Sequence, residues 1–327
     1  MALKNSNGRV LMSYCPDIRV LDCTLRDGGL VNNFDFSDDF VKALYQVNIA
    51  SGVDYMEFGY KASKRIFSTE EFGKWKFCDE EAIRNIVGEN DSPLKISVMA
   101  DVGRCDYKTD ILPRSESVID LVRVATYIHQ IPTAIEMIVD AKQKGYEVCV
   151  NIMAVSKINE MELEAGLEML AHSGVDYIYL VDSYGAFYPE QVKALTELYM
   201  EVGEKYGITI GYHGHNNQQL AFANTIESLR YGASLLDGTV CGMGRGAGNC
   251  FLESLLGFLK NPKYDIMPML KFIENYMDDM KQKYEWGFDV SYMLTGILNA
   301  HPKSAIAFQK EQRHDYTKFY QEMLEGE

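Results

Sequence analysis

Eight short runs rich in Val, Ile, Tyr and Met recur along this chain, and most are followed by a stretch whose apolar residues have helical spacing. The runs are Arg19–Cys23, Tyr55–Tyr60, Leu94–Asp101, Leu121–Ile128, Glu147–Ala154, Tyr177–Asp182, Thr209–His215 and Leu235–Gly242. Strands alternating with helices bury both faces of a parallel sheet under a helical layer. Eight such units predict a closed (β/α)8 barrel.

The segments between the runs carry helix signals of their own. Ser37-Asp38-Asp39 precedes Phe40, Val41, Leu44 and Val47, a capped start followed by one apolar face. Pro132 stands where a helix should begin and Gly145 where it should stop. Similar segments cover roughly 157–173, 189–206 and 218–231, each closing near Gly174, Gly207 or Gly232. The stretch 102–120 lacks clear periodicity and is expected to be irregular. Beyond Gly257 only helical segments follow, notably Met267–Tyr284 and His301–Leu324. The division expected is a catalytic barrel over 16–260 and a helical extension over 261–327, packed on the barrel or supporting a homodimer.

Composition narrows the partners. With 327 residues, 47% of them hydrophobic, a large core is within reach, and a formal charge of −15 with no basic run argues against nucleic acid. The N-terminal stretch Met1–Gly8 has no apolar signal core, and no run reaches the roughly 20 apolar residues of a membrane helix. Seven cysteines at 15, 23, 78, 105, 149, 241 and 250 are odd in number and form no CxxC pair. They read as reduced thiols of a cytoplasmic protein.

Polar residues at the ends of barrel strands call for a chemical explanation, because active sites form there. Arg26 and Asp27 follow the first strand, Glu57 lies on the second, with Tyr60 at its end, and Asp101 ends the third. Thr126 and His129 surround the end of the fourth, Asn151 lies on the fifth, Asp182 and Ser183 end the sixth, and Asn249 follows the eighth. His213 and His215 are two apart on the seventh, so they point to one side, and Gly214 between them leaves room for a ligand. With Asp27 from the first strand, which barrel closure puts beside the eighth and near the seventh, they offer two nitrogens and one oxygen, a half-octahedron suited to a divalent ion. The plainer alternative is a polar mouth in which the two histidines only form hydrogen bonds.

Arg26 offers a donor fork for an enolate oxygen or a carboxylate, or else a structural ion pair with Glu57 or Asp182. The glycine-rich run Gly242–Asn249 fits a dinucleotide fingerprint only loosely, since no further strand-helix-strand unit follows it. A tight turn that places Asn249 and bare amides over an anionic substrate is the better reading.

The motifs LDCTLRDGG (Leu21–Gly29), VRVAT (Val122–Thr126), VDSYGA (Val181–Ala186), HGHN (His213–Asn216) and GMGRGAGN (Gly242–Asn249) resemble the Asp-Arg-Glu metallolyase superfamily of TIM barrels. That superfamily includes 3-hydroxy-3-methylglutaryl-CoA lyase and 2-isopropylmalate synthase, and the chain looks most like its 4-hydroxy-2-oxovalerate aldolase branch. The resemblance implies that Asp27, His213 and His215 bind a divalent metal, Mn2+ or Mg2+. It implies that Arg26 stabilises an enolate with support from Glu57, and that Asn249 lies near metal or substrate. Thr126, Asn151, Asp182 and Ser183 are then candidates for substrate contact. The expected reaction is cleavage or formation of a C–C bond through a metal-bound enolate of a 2-keto acid, with an aldehyde as partner. Where the aldolases carry a basic histidine three positions beyond the aspartate, this chain has Leu30. His129 and Tyr60 are the candidates to replace it. An acyl-CoA condensing enzyme and a non-catalytic metal-holding barrel are the alternatives, and no dehydrogenase partner follows from the sequence.

Overall fold

A computed structural model describes residues 17–326; Met1–Gly8, Cys15, the expected barrel start at 16 and Glu327 lie outside the described residues. Eight parallel strands close into a barrel in chain order. They are β1 (Arg19–Asp22), β2 (Tyr55–Tyr60), β3 (Lys95–Asp101), β4 (Leu121–Thr126), β5 (Glu147–Ile152), β6 (Tyr177–Asp182), β7 (Thr209–Gly214) and β8 (Leu235–Gly238). Pairing of Arg19 with Leu235 and Asp22 with Gly238 brings β1 beside β8 and closes the ring.

Several strands stop short of the expected ends. After β4, β5 and β8 the chain turns through one-turn 3-10 helices at Ile128–Gln130, Val155–Lys157 and Val240–Gly242. Their apolar residues are indistinguishable by composition from a continuing strand. The helices Asp38–Ala50, Ile131–Gln143, Glu160–Ala171, Pro189–Tyr206 and Ala221–Arg230 stand where periodicity placed them. The 102–120 stretch holds only a four-residue helix and a 3-10 turn.

A helix directly after β1 was not expected. Thr24–Asn32 forms helix α1 there, so Arg26 and Asp27 sit on its first turn rather than on a strand end. Asp22 Oδ1 accepts the Thr24 N–H at 2.8 Å and starts the helix. Two consecutive glycines disguise it, since glycine lowers helix propensity. Their reason is space: a Cβ on Gly28 would stand 2.9 Å from Met243 Sδ, and one on Gly29 would overlap the Phe34 ring at 2.2 Å.

Further helices follow the barrel at Ile266–Phe272, Val290–Ile297, Lys303–Lys310 and Tyr316–Glu325. Val290–Ile297 is a helix the sequence reading left out. Hydrogen bonds tie this region to the barrel: Lys263 Nζ and Tyr264 Oη donate to the Ile18 carbonyl, and Trp286 Nε1 to the Cys241 carbonyl. Phe272 packs edge-on against Phe40, with centroids 5.4 Å apart. No helix among the described residues is long and apolar enough to cross a membrane.

Candidate metal centre and catalytic cavity

The barrel interior explains how the site is held. Leu21, Tyr55, Leu121, Cys149, Tyr179 and Leu235 fill it with apolar bulk. Among them Arg123 is fully buried, its guanidinium 4.3 Å from the Tyr179 ring centroid. It donates from Nη1 to Glu57 Oε2 at 3.0 Å and from Nη2 to Asp237 Oδ2 at 2.7 Å. Glu57 Oε2 also accepts from Arg26 Nε at 2.8 Å, and Arg26 Nη1 donates to Asp27 Oδ2 at 2.6 Å. Asp237 Oδ2 lies 2.9 Å from His213 Nδ1, and His213 Nε2 faces Asp27 Oδ2 at 3.5 Å. Six side chains therefore form a closed ring from Asp27 through Arg26, Glu57, Arg123, Asp237 and His213.

The ring fixes which histidine nitrogens are free. His213 Nδ1 faces a carboxylate and His215 Nδ1 faces the Asp182 carbonyl at 2.9 Å, and both partners can only accept. Each Nδ1 is thus the donor, so in the neutral imidazoles both Nε2 atoms carry lone pairs. These lone pairs point at Asp27 Oδ2 from 3.5 and 3.7 Å. His213 Nε2 is buried with no hydrogen-bond partner among the described residues. Three lone-pair atoms converging without a proton between them fit a cation, and Asp27, His213 and His215 lie close enough to share one.

The electrostatics agree. Burial alone would raise the Asp27 carboxyl, but the Arg26 guanidinium beside it holds it well below the usual carboxylate range. Burial pushes His215 down to about 3, which keeps it neutral and able to ligate. On His213 burial opposes charge, yet the Asp237 and Asp27 carboxylates raise its pKa overall, marking a position that attracts positive charge. A second grouping of Cys23, His213 and Asp237 also lies within ligand range. Asp237 there is already held by Arg123, His213 turns its N–H that way, and burial pushes the Cys23 thiol well up. We assign any ion to the Asp27 side.

A cavity of about 340 Å³ opens at the C-terminal ends of the strands above this centre, lined by Arg26, Asp27, His213 and His215. Of the other residues expected there, Leu30, Tyr60, Asp101, Asn151 and Ser183 line it. Tyr60 gets there through a register shift in β2, at Gly59, where a Cβ would stand 1.9 Å from the Trp75 carbonyl oxygen. Burial raises the Tyr60 hydroxyl above its ordinary value.

Five expected residues do not line the cavity: Glu57 is fully buried behind Arg26, and four others lie elsewhere. Thr126 falls on the outer face of β4, where it bonds the Tyr127 carbonyl, while Ala125 faces in. Asp182 turns outward in the same way beyond Val181 and accepts the Ala186 and Phe187 N–H groups. Its backbone carbonyl orients His215, and it makes no pair with Arg26, whose partners are Glu57 and Asp27. Asn249 braces its own loop by donating to the Met243 carbonyl, but its backbone bridges to His215 and its buried Oδ1 has no hydrogen-bond partner among the described residues, so it stands beside the Asp27–His215 group as expected. His129 is exposed and stacks on Tyr127 with centroids 5.8 Å apart.

Two glycine readings change as well. Gly214 leaves room for the Tyr212 ring, 2.8 Å from where its Cβ would be, rather than for a ligand. The Gly242–Asn249 turn closes on Asp27, to which the Arg245 N–H points at 3.4 Å.

Sequence reasoning missed Arg123, Asp237 and Lys76. Arg123 stood in plain view as a charge inside an apolar run. Lys76 belongs to the loop after β2, is 7% exposed, lines the cavity, and lies over the Tyr60, Phe67 and Phe34 rings at 4.3, 4.4 and 4.8 Å. Its amine has no hydrogen bond or ion pair among the described residues. Burial lowers its pKa, against the pull of the Asp101 carboxylate.

Known proteins give the arrangement a family. An oxaloacetate decarboxylase of Mycobacterium tuberculosis is 31% identical over 74% of this chain and 69% of its own length. A 4-hydroxy-2-oxovalerate aldolase of Pelotomaculum thermopropionicum is 29% identical over 78% and 74%. The N-terminal domain of a proposed aldolase from Bacteroides vulgatus superposes with a TM-score of 0.76 at 30% identity, covering 89% of this chain and 96% of that one. The hydroxymethylglutaryl-CoA lyase of Pseudomonas aeruginosa shares the fold, with a TM-score of 0.66 at 18% identity over 82% and 94%. Residues 17–275 match the family described as HMGL-like, and the chain belongs to it.

Proposed function

We propose that this protein is a divalent-metal-dependent aldolase or lyase that makes or breaks a C–C bond beside a 2-oxo acid, with a 4-hydroxy-2-oxo acid as the cleaved substrate. The convergence of Asp27 Oδ2 with the lone pairs of His213 Nε2 and His215 Nε2 carries this reading. A bound Mn2+ or Mg2+ supplies Lewis acidity towards the ketone oxygen of a chelating 2-oxo acid.

The chain's own groups supply the rest. Arg26 is fixed at Nε by Glu57 and at Nη1 by Asp27, and its Nη2, with no hydrogen bond among the described residues, remains for the oxygen that gains charge. The C4 hydroxyl gives up its proton, the C3–C4 bond breaks, an aldehyde leaves, and C3 of the enolate takes a proton to yield pyruvate. Lys76 is the group we assign to that proton transfer, in place of the histidine that Leu30 replaces. It has no hydrogen bond or ion pair among the described residues, lines the cavity beside Tyr60, and burial lowers its pKa towards the range in which it can exchange a proton. The similarity to an oxaloacetate decarboxylase favours a second reading on the same residues, in which carbon dioxide is the leaving fragment. Six free thiols among the described residues suit a reducing compartment, and we place the enzyme in the cytoplasm.

Exchange of the pyruvate methyl protons with solvent deuterium tests the proposal. Chelator-treated protein should exchange none above background, and added Mn2+ or Mg2+ should restore exchange. Exchange at full rate without metal, or none with it, overturns the proposal.

A further inference from the structure

The cavity is cationic in a protein whose formal charge is −15. Besides Arg26, its lining includes Lys76, Arg104, Arg245 and Lys303, and none of these four forms an ion pair among the described residues. Elsewhere in the molecule Arg and Lys commonly find carboxylates, as at Lys142–Asp176 and Lys263–Asp54. Unpaired cations gathered at one opening, in a chain with a large excess of acidic groups, need a reason outside the chain.

Three of the basic groups stand together on one wall. Arg245 belongs to the turn after β8, and its Nε is buried with no hydrogen-bond partner among the described residues. His301 and Lys303 come from the helical region beyond the barrel. That region is held against the same turn: Gly287 N–H donates to the Gly246 carbonyl at 2.9 Å, and the Tyr292 ring lies 3.0 Å from where a Gly246 Cβ would be. Asn299 Nδ2 donates to the Ser156 carbonyl at 2.9 Å, which fixes the approach to His301. His301 Nδ1 accepts the Lys303 N–H at 3.1 Å, so the ring proton of the neutral imidazole sits on Nε2. The Tyr184 ring holds the imidazole edge-on, with centroids 5.6 Å apart. Burial, then Arg245 and Lys303, push His301 down to about 4, as expected where basic groups crowd without an acidic partner.

A guanidinium, an ammonium and an imidazole N–H on one wall form a donor set with no acceptor. We propose that Arg245, His301 and Lys303 form a subsite for a second anionic group of the substrate, a carboxylate or phosphate remote from its 2-oxo acid end. This inference rests on the reading of the cavity as a 2-oxo acid site. The helices after the barrel then take part in choosing the substrate, and a 2-oxo acid ending in a neutral alkyl group leaves these donors unanswered.

Calorimetric titration of the full chain loaded with Mn2+ tests this with three ligands of one length: 2-oxovalerate, 2-oxoglutarate and 2-oxo-4-phosphonobutyrate. At least one charged ligand should bind about tenfold or more tightly than 2-oxovalerate. A carboxylate or a phosphonate preference tells which group the subsite takes. The preference should weaken with added salt, fall severalfold in Lys303→Gln and vanish in Arg245→Gln. Equal binding of all three, or a preference that survives Arg245→Gln, overturns the subsite alone. Absence of metal-dependent binding for any of them overturns the 2-oxo acid reading with it.

Discussion

Two sets of charges occupy this barrel, one inside it and one on its rim. Inside, Arg26, Glu57, Arg123, Asp237 and Asp27 are all paired, and each is at most 5% exposed. On the rim, Arg245 and Lys303 have no ionic partner among the described residues and face the cavity. Charges withdrawn from water must answer one another or, as at Lys76, lie against aromatic rings, because an unpaired buried ion costs several kcal/mol. Charges left half in water can wait for a ligand. The inner set therefore fixes geometry, and the outer set is where recognition resides.

Substitutions can break this contrast at graded strength. Arg123→Met leaves Glu57 and Asp237 buried without their shared cation, and chemical denaturation should register a loss of about 3–5 kcal/mol. A loss below about 1 kcal/mol would mean that the ring is not needed for the fold. Arg26→Ala should lower kcat for aldol cleavage by about 10²–10³-fold, on the scale of removing one oxyanion donor, while Mn2+ affinity changes far less. If calorimetry finds the metal lost instead, the guanidinium is only a structural partner of Asp27. Asp237→Asn removes the carboxylate behind His213, and metal affinity should weaken by about 10–100-fold with little change in the substrate preference of the rim. Unchanged affinity in that variant would separate His213 from the ring. The smallest effect belongs to His129→Gln, which should leave turnover within about twofold, since the side chain is exposed and outside the cavity lining. A loss of about tenfold would return His129 to the chemistry.

The barrel was legible because each parallel strand is buried on both faces and so reads as a short apolar run, as in Leu121–Thr126. The shared direction of His213 and His215 was legible too, since a spacing of two puts them on one side of β7 wherever the rest of the chain lies. Thr126 and Asp182 were misplaced because their side of the strand depends on register, and a one-residue offset reverses the face. The six-membered ring could not be read at all: its members come from β2, β4, β7, β8 and α1, and sequence order carries no distances between them. Lys76 was hidden by its loop, where no periodicity marks a side chain as turned inward. Helix α1 was masked by glycines chosen for the closeness of Met243 and Phe34 rather than for local conformation.

The turn after β8 also bears on how this enzyme can diversify. At Gly244 a Cβ would stand 2.1 Å from Asn249 Nδ2 and 2.9 Å from Asp27 Oδ1, and at Gly248 it would stand 2.0 Å from the Gly242 carbonyl oxygen. Side chains at these two glycines would collide with Asp27, with Asn249 or with backbone, so these two positions are closed to variation. New specificities, natural or selected from libraries, can arise at the Arg245 side chain, which lines the cavity, and at Leu30, Tyr127 or Lys303, which line it and are exposed.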